Sequence, residues 1–472
     1  MELRQISQLQ IIRSSSVRRV RLLRSILKII PACLVLAVGE RALATGPAVT
    51  SEGARAIAMG MPTLDEMAGD WWGRSDIGQF PSIHNFCGQL LVNKDLASVS
   101  WLCTPPYSQA FHSGILKING EMPLAQRFRW YPYQANRTGY IDGLSVETTN
   151  RMVFDTTGVL WRIVLTNTRD APVSGKVSID LIGAIGKMTR PDAWSWNQDQ
   201  PYYSKGQLRQ LGVTERIRAS LDANPPPVLA NPADYSAAIG GPGNMLSISD
   251  TKTPAKTAFA FASKPDELTT DGHEGIATWN YQLSPGETKT IEYVLSYGEG
   301  EAVAANAADW AARFDSTFAD AKQLWEKRYA DVFTPNNGVF EGNLPVLVTQ
   351  DRALRRNYYM GVITLLLMLD DKLPGHPIVF SSGGPRMGVS SMFIWDTGMV
   401  DTLFALLAPK AMRDYLTMTL QWNLDAYYAY DYFGNRAFGY RYAANYPGLF
   451  HIDSTYLRVT GDRAFLNQKI GA

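Results

Sequence analysis

After Glu341 the chain has no glutamate at all, so any carboxylate chemistry in its last quarter rests on aspartate alone. Cysteine is scarce, with Cys 3 in 472 residues, and His 5 shows no ligand spacing, which leaves no zinc-site pattern. Neither a glycine-rich phosphate loop nor a nucleophile elbow occurs, which removes the commonest sequence signatures of nucleotide binding and serine hydrolysis. Charged residues make up 19% and the formal net charge is +1, so the whole chain carries no basic excess of the kind a nucleic-acid backbone demands.

What is present is a large globular composition. Hydrophobic residues make up 46%, and the length argues for two or more domains. Residues 1–44 read as a secretory signal peptide. Arg13, Arg18, Arg19, Arg21, Arg24 and Lys28 form a basic region, residues 29–39 an apolar run, and Ala42-Leu43-Ala44 a small-x-small cleavage site. That run is short of the ~20 residues a membrane-spanning helix needs. Arg18-Arg19 hints at twin-arginine export, although Arg21 stands where an apolar residue is expected. Cleavage would take away eight basic and two acidic residues and leave a formal charge of about −5. The expected location is periplasmic or secreted, with no membrane attachment once the signal is removed. Cys87 and Cys103 would remain, and in an oxidising compartment they either pair or stay as two buried thiols.

Residues 45–69 form an N-terminal mature segment, and the β signal runs over 70–299. Val177, Ile179 and Leu181 alternate with Ser178 and Asp180, and Trp279, Tyr281 and Leu283 alternate likewise, the period of half-buried strands. Val159 to Leu165 is a dense apolar run, and Ser284-Pro285-Gly286-Glu287 is a turn. Many short strands between Gly and Pro turns predict a sandwich. Residues 224–243, with three consecutive prolines, read as a loop. Over 300–342 the period changes. Trp310, Phe314, Phe318, Ala321, Trp325 and Tyr329 form one stripe, predicting a long linker helix.

Residues 343–472 read as helices over 351–369, 398–407, from Pro409 onward, and over 449–468 with a break near Gly461, and without β alternation. The loops between them, 370–391 and 426–446, are long enough to be functional. Trp395-Asp396 stands at the mouth of the second helix, behind the small, Arg386-bearing loop 381–388. An indole face suits the apolar side of a pyranose and a carboxylate suits its hydroxyls; an Asp in that place is also a good helix cap. Asn435 and Arg436 sit in a loop crowded with tyrosines, where they either bind sugar hydroxyls or belong to a packed interhelix segment. The loop Trp194-Ser195-Trp196-Asn197-Gln198-Asp199 either reaches over a neighbouring site or is buried as a domain contact.

A β-sandwich, a linker helix and a helical domain carrying Phe393-x-Trp395-Asp396-Thr397 resembles the six-hairpin (α/α)6 glycoside hydrolases. The likeness is greatest to the family 63 group, which includes processing α-glucosidases and mannosylglycerate hydrolase; trehalases are more distant. Gly434-Asn435-Arg436 and Tyr446-Pro447 add to the resemblance. It implies a multidomain protein with a supersandwich-like N-terminal domain followed by an (α/α)6 toroid. It also implies that Trp395 and Asp396, with Arg386, Asn435 and Arg436 around them, bind an oligosaccharide or small glycoside without cofactor or metal. The family hydrolyses with inversion, using an acid in a Gly-Trp-Asp-like motif and a later Glu as base, and neither is found in this sequence. Four helices of a toroid's twelve leave an open apolar face. The expectation is a copy of a longer enzyme lacking its catalytic carboxylates and inactive alone. The alternatives are a non-catalytic carbohydrate-binding protein, a disaccharide phosphorylase relative, or a short form that self-associates through the open helical face.

Overall fold

The computed structural model describes residues 60–472 apart from 77–81, 110–111, 184, 188–233, 242, 374, 377, 383–390, 433–435, 439–440 and 471–472. The segments 1–44, 45–59 and 188–233, and with them the proposed signal peptide and the loop 194–199, lie outside the described residues. All described residues belong to one unit, Arg55–Ala472.

Strands dominate from Trp72 to Glu299, and helices from Ala302 onward. The central layer is a nine-stranded antiparallel sheet in which Gly158–Asn167 lies between Leu144–Met152 and Thr288–Glu299. A four-stranded sheet built on Val173–Leu181 and Gly275–Leu283, and a five-stranded sheet built on Val99–Thr104, contribute to the same core. The alternating residues behave as the period demands: Val177 pairs with Trp279 and Ile179 with Ala277, all buried. The Pro285-Gly286 turn needs a positive φ at its third position, and Gly286 supplies it at φ 74.

The apolar run Val159–Leu165 does not alternate because this stretch of sheet is covered on both faces. Val159, Trp161, Ile163 and Leu165 point into the sandwich core, where Trp161 stacks on Tyr293 at 4.8 Å and 12°. Leu160 points the other way, into a second cluster with Val294, Val303 and Trp310. That outer face is covered by helix α2 (Ala302–Ala312), which follows α1 (Leu64–Ala68) in the chain.

The single long linker helix predicted from the stripe is two helices. α2 ends at Arg313, and α3 (Phe314–Asp331) starts at Phe314. The break itself falls between two residues of one core, and the stripe passes to the other core within α3. Trp310, Phe314 and Phe318 lie over the sheet, whereas Trp325 and Tyr329 enter the core of the helical region.

The helical region comprises α4 (Arg352–Leu366), α5 (Ile394–Thr397), α6 (Asp401–Leu407), α7 (Pro409–Thr419) and α8 (Asn445–Thr460). Asp351 caps α4 by accepting from the amides of Ala353 and Leu354, and Gly461 ends α8 in the left-handed conformation. The expected continuation of α8 to residue 468 therefore stops at Thr460, followed by one 3-10 turn. Strands are also present where none was expected. Leu369–Asp370 pairs with Val379–Phe380, and Ser391–Phe393, Ala429–Asp431 and Arg436–Phe438 form a three-stranded sheet. At two or three residues each, they are too short for alternation to register.

The sandwich and the helical region are joined by a largely buried seam that includes an ion pair. Phe86, Tyr131 and Tyr133 from the β part belong to the helical core. The Trp325 indole donates to the His84 carbonyl at 2.9 Å, Gln89 donates to the Leu367 carbonyl at 3.1 Å, and Arg328 pairs with Asp371 at 2.6 Å. Cys87 and Cys103 are both buried and free, so the two thiols stay unpaired.

Candidate functional site

Trp395 and Asp396 lie on α5, a single turn entered directly from the strand Ser391–Phe393. The backbone then turns through Gly398–Val400 before α6 begins, so the predicted helix start at Gly398 moves to Asp401. Asp396 is not the helix cap. The capping position falls on Phe393, whose side chain has nothing to cap with, and Asp396 stands inside the turn. Its carboxylate takes a hydrogen bond from the Ser382 hydroxyl, which itself accepts from the Phe393 amide at 3.1 Å. Burial raises the Asp396 pKa, and the Ser382 bond partly offsets this. No ion pair to Asp396 is present among the described residues. Beside it the Trp395 ring is 45% exposed. A half-buried carboxylate next to an open indole offers a hydrogen-bond acceptor beside a flat apolar face.

The floor under this pair is polar and buried. Tyr415 on α7 is completely enclosed, with its hydroxyl beside Thr397 and Thr419. Burial pushes its pKa up to about 12, the Thr397 and Thr419 hydroxyls oppose the rise, and the charges of Asp453 and Asp396 add to it. Asp453 is pushed up to about 6 by burial, and its Oδ1 has no partner. Below Trp395, α8 comes so close that a Cβ on Gly448 would lie 3.8 Å from the Trp395 Cα.

Asp401 fastens α6 to α8. Its carboxylate accepts from Thr455 and Thr402 and lies 3.1 Å from His451 Nε2, an ion-pair distance without hydrogen-bond alignment. Burial raises its pKa, and the neighbouring imidazole and hydroxyls partly offset that rise.

Of the other residues predicted for the site, Arg386 and Asn435 lie outside the described residues, and Arg436 is exposed at the start of the strand Arg436–Phe438. Sequence reasoning missed Tyr415, Asp401 and Asp453. Tyr415 is one of many tyrosines, and a helical Asp reads as a solvated charge until tertiary contacts bury it. His451 reads as an ordinary histidine in the sequence, and only the approach of α6 gives it a carboxylate neighbour. No group of three or more His, Cys, Asp or Glu placed to hold a metal occurs among the described residues. None of the described helices is long and apolar enough to cross a membrane.

No protein-family model matches this sequence, and no curated protein matches it. Solved structures with a similar arrangement include a bacterial glucoamylase in complex with acarbose, at 10% identity and TM-score 0.45, covering 79% of this chain and 55% of that one. A candidate kojibiose phosphorylase from the human microbiome is 11% identical at TM-score 0.41, covering 82% of this chain and 54% of that one. The family GH92 inverting mannosidase from Bacteroides thetaiotaomicron is 12% identical at TM-score 0.34, covering 76% and 47%. This chain thus spans about half the length of each. At these identities and TM-scores the likenesses assign neither family nor activity to this chain.

Proposed function

We propose that this chain is the sugar-holding part of an exported carbohydrate-active enzyme, with Trp395 and Asp396 forming the wall against which a glycone is bound. The observation that carries the reading is the half-exposed indole beside a half-buried carboxylate that no described cation neutralises. Such a carboxylate keeps its second oxygen for a ligand hydroxyl, and a neutral, hydroxyl-rich ligand satisfies it without bringing a charge into a partly dry site. The indole supplies a flat apolar face for the ring. Arg386, Asn435 and Arg436 complete the proposed binding set.

In the finer form of the reading, the protein belongs with the family 63-like (α/α)6 glycosidases and cleaves an α-linked sugar with inversion. Its domains are then 70–299, 300–342 and 343–472 behind a cleavable signal. Inversion needs two carboxyls roughly 6.5–9.5 Å apart, with a water between one of them and the sugar. Asp396 holds the sugar, and neither the Gly-Trp-Asp-like acid motif nor the later Glu of that mechanism is found in this sequence. The isolated chain is therefore expected to bind sugar and not to turn it over.

Titration calorimetry of the wild type and Asp396→Ala with α-linked disaccharides tests the reading, together with aryl α-glycoside hydrolysis by the same preparations. Binding by the wild type that Asp396→Ala removes supports it. Equal binding by both proteins, or no binding by either, would refute the assignment of the site. Turnover by the isolated chain would refute the division of labour. N-terminal sequencing of the exported protein, expected to begin just after Ala44, tests the signal.

A further inference from the structure

Several exposed aromatic residues lie around the N-terminal end of α8, beside the exposed Met399 of the neighbouring turn, and hydrogen bonds from Asn445 hold the backbone of two of them in one neighbourhood. Asn445, the first residue of α8, donates its side-chain amide to the Tyr427 carbonyl at 3.0 Å and its backbone amide to the Tyr442 carbonyl at 3.0 Å. Tyr446 follows directly, and its hydroxyl bonds to Asp425, which also lies 3.5 Å from Arg441. Tyr427, Tyr442 and Tyr446 are 39%, 44% and 47% exposed, close to the 45% of Trp395.

Two routes tie this group to Trp395. Phe393, two residues before it, stacks on Tyr428 at 5.5 Å, and Tyr428 meets Tyr442 edge-on at 6.4 Å. Second, Gly448 of α8 lies against the Trp395 backbone, which sets the beginning of that helix beside the turn carrying Trp395.

We propose that Tyr427, Tyr442 and Tyr446 extend the Trp395–Asp396 site into a binding surface for an oligosaccharide, so that its ligand is a chain of several sugars. The inference rests on the sugar-binding reading of that site. The charged pair among the rings favours this occupant over a protein face. Asp425 and Arg441 are 63% and 69% exposed, and covering them with an apolar partner would strip both of water, whereas a hydrated sugar chain hydrogen-bonds to them in place. Tyrosine rings present broad contact area at low conformational cost and carry hydroxyls for the same ligand.

The test is calorimetry on the full chain with two ladders, maltose to maltohexaose and α-mannobiose to α-mannopentaose. On one ladder, affinity is expected to rise at least about tenfold from disaccharide to pentasaccharide. The Tyr442→Ala/Tyr446→Ala double variant is expected to lose that gain and keep the disaccharide affinity. The corresponding double Phe variant, which keeps the rings, is expected to retain most of the gain. A bound disaccharide with a flat ladder, or a gain that survives the double Ala variant, overturns this inference and leaves the proposed function standing. Binding that reaches no sugar on either ladder overturns both. A wild-type dimer that the double Ala variant dissolves overturns the inference by giving the surface to a second copy of the chain.

Discussion

Replacing Asp370 with asparagine is expected to make the protein more stable above neutral pH. Asp370 lies in the short strand Leu369–Asp370 at the seam and is 4% exposed. Burial is the main reason its pKa is raised from 3.8 to about 7; amides of Lys372 and Leu373 pull it down, and the carboxylates of Asp371 and Asp155 push it up. The charges facing this corner are Arg328 from α3, paired with Asp371 at 2.6 Å, and Lys372, 3.1 Å from Asp155. Cys87 lies beside them with its thiol pushed up by burial, and the buried His84 imidazole is pushed down to about 3 and stays neutral. Because the folded-state pKa of Asp370 lies above its unfolded value, the folded protein holds this proton more tightly. Its contribution is fully present below about pH 4 and is lost as pH rises through about 7. Three pH units at about 1.4 kcal/mol each set a ceiling of about 4 kcal/mol, and relaxation around the charged form lowers it to ~2–4 kcal/mol. Asparagine keeps an acceptor for the Lys372 amide, which now donates to Oδ1 at 2.8 Å, and carries no charge at any pH. Urea unfolding followed by tryptophan fluorescence should give nearly matching midpoints for the two proteins at about pH 4, and a midpoint for Asp370→Asn that lies increasingly above that of the wild type as pH rises to 8. A variant equal to or weaker than wild type at pH 8 would refute the reasoning.

Three further outcomes follow from the core. Trp161→Ala empties a completely enclosed site, removes the stack on Tyr293 and leaves the Ala97 carbonyl without its indole donor at 2.9 Å; a loss of ~3–5 kcal/mol is expected in urea unfolding. Gly88→Ala would place its Cβ 2.6 Å from the backbone oxygen of Cys103, which cannot swing away, so a loss of ~2 kcal/mol or more should appear in the same assay, whereas Gly120→Ser meets no neighbour but must hold φ +86 and should cost ~1 kcal/mol. Cys87 and Cys103, buried and with their pKa values raised, should resist a thiol reagent in the native protein and react at two equivalents in urea once residues 1–44, with Cys33, are removed; no equivalent from that unfolded chain would show that they pair.

Much of the fold was legible because two periods leave marks on sequence. Alternation exposed the strands around Val177 and Trp279, and Pro285-Gly286 marked their turn. The stripe from Trp310 to Tyr329 showed helix, and Pro409 and Gly461 marked a beginning and an end. Periodicity shows only that a face is buried, not which core receives it. The passage of one stripe from the sheet to the helical core, between Phe318 and Trp325, was therefore invisible. The two- and three-residue strands beside the site were equally hidden, since pairing across loops leaves no local pattern.

The sequence alone determined the residue types of the site, an indole followed by a carboxylate behind a small-residue loop, because neighbours along the chain are necessarily neighbours in space. It could not determine their surroundings. Only the tertiary structure decided that Asp396 stands within a turn rather than at a cap, that Ser382 meets its carboxylate, and that Tyr415 and Asp453 arrive from α7 and α8. Burial is a property of the whole packed chain, and burial sets how tightly these carboxylates hold their protons. The types are therefore written locally, while their chemistry is set by elements up to about sixty residues away.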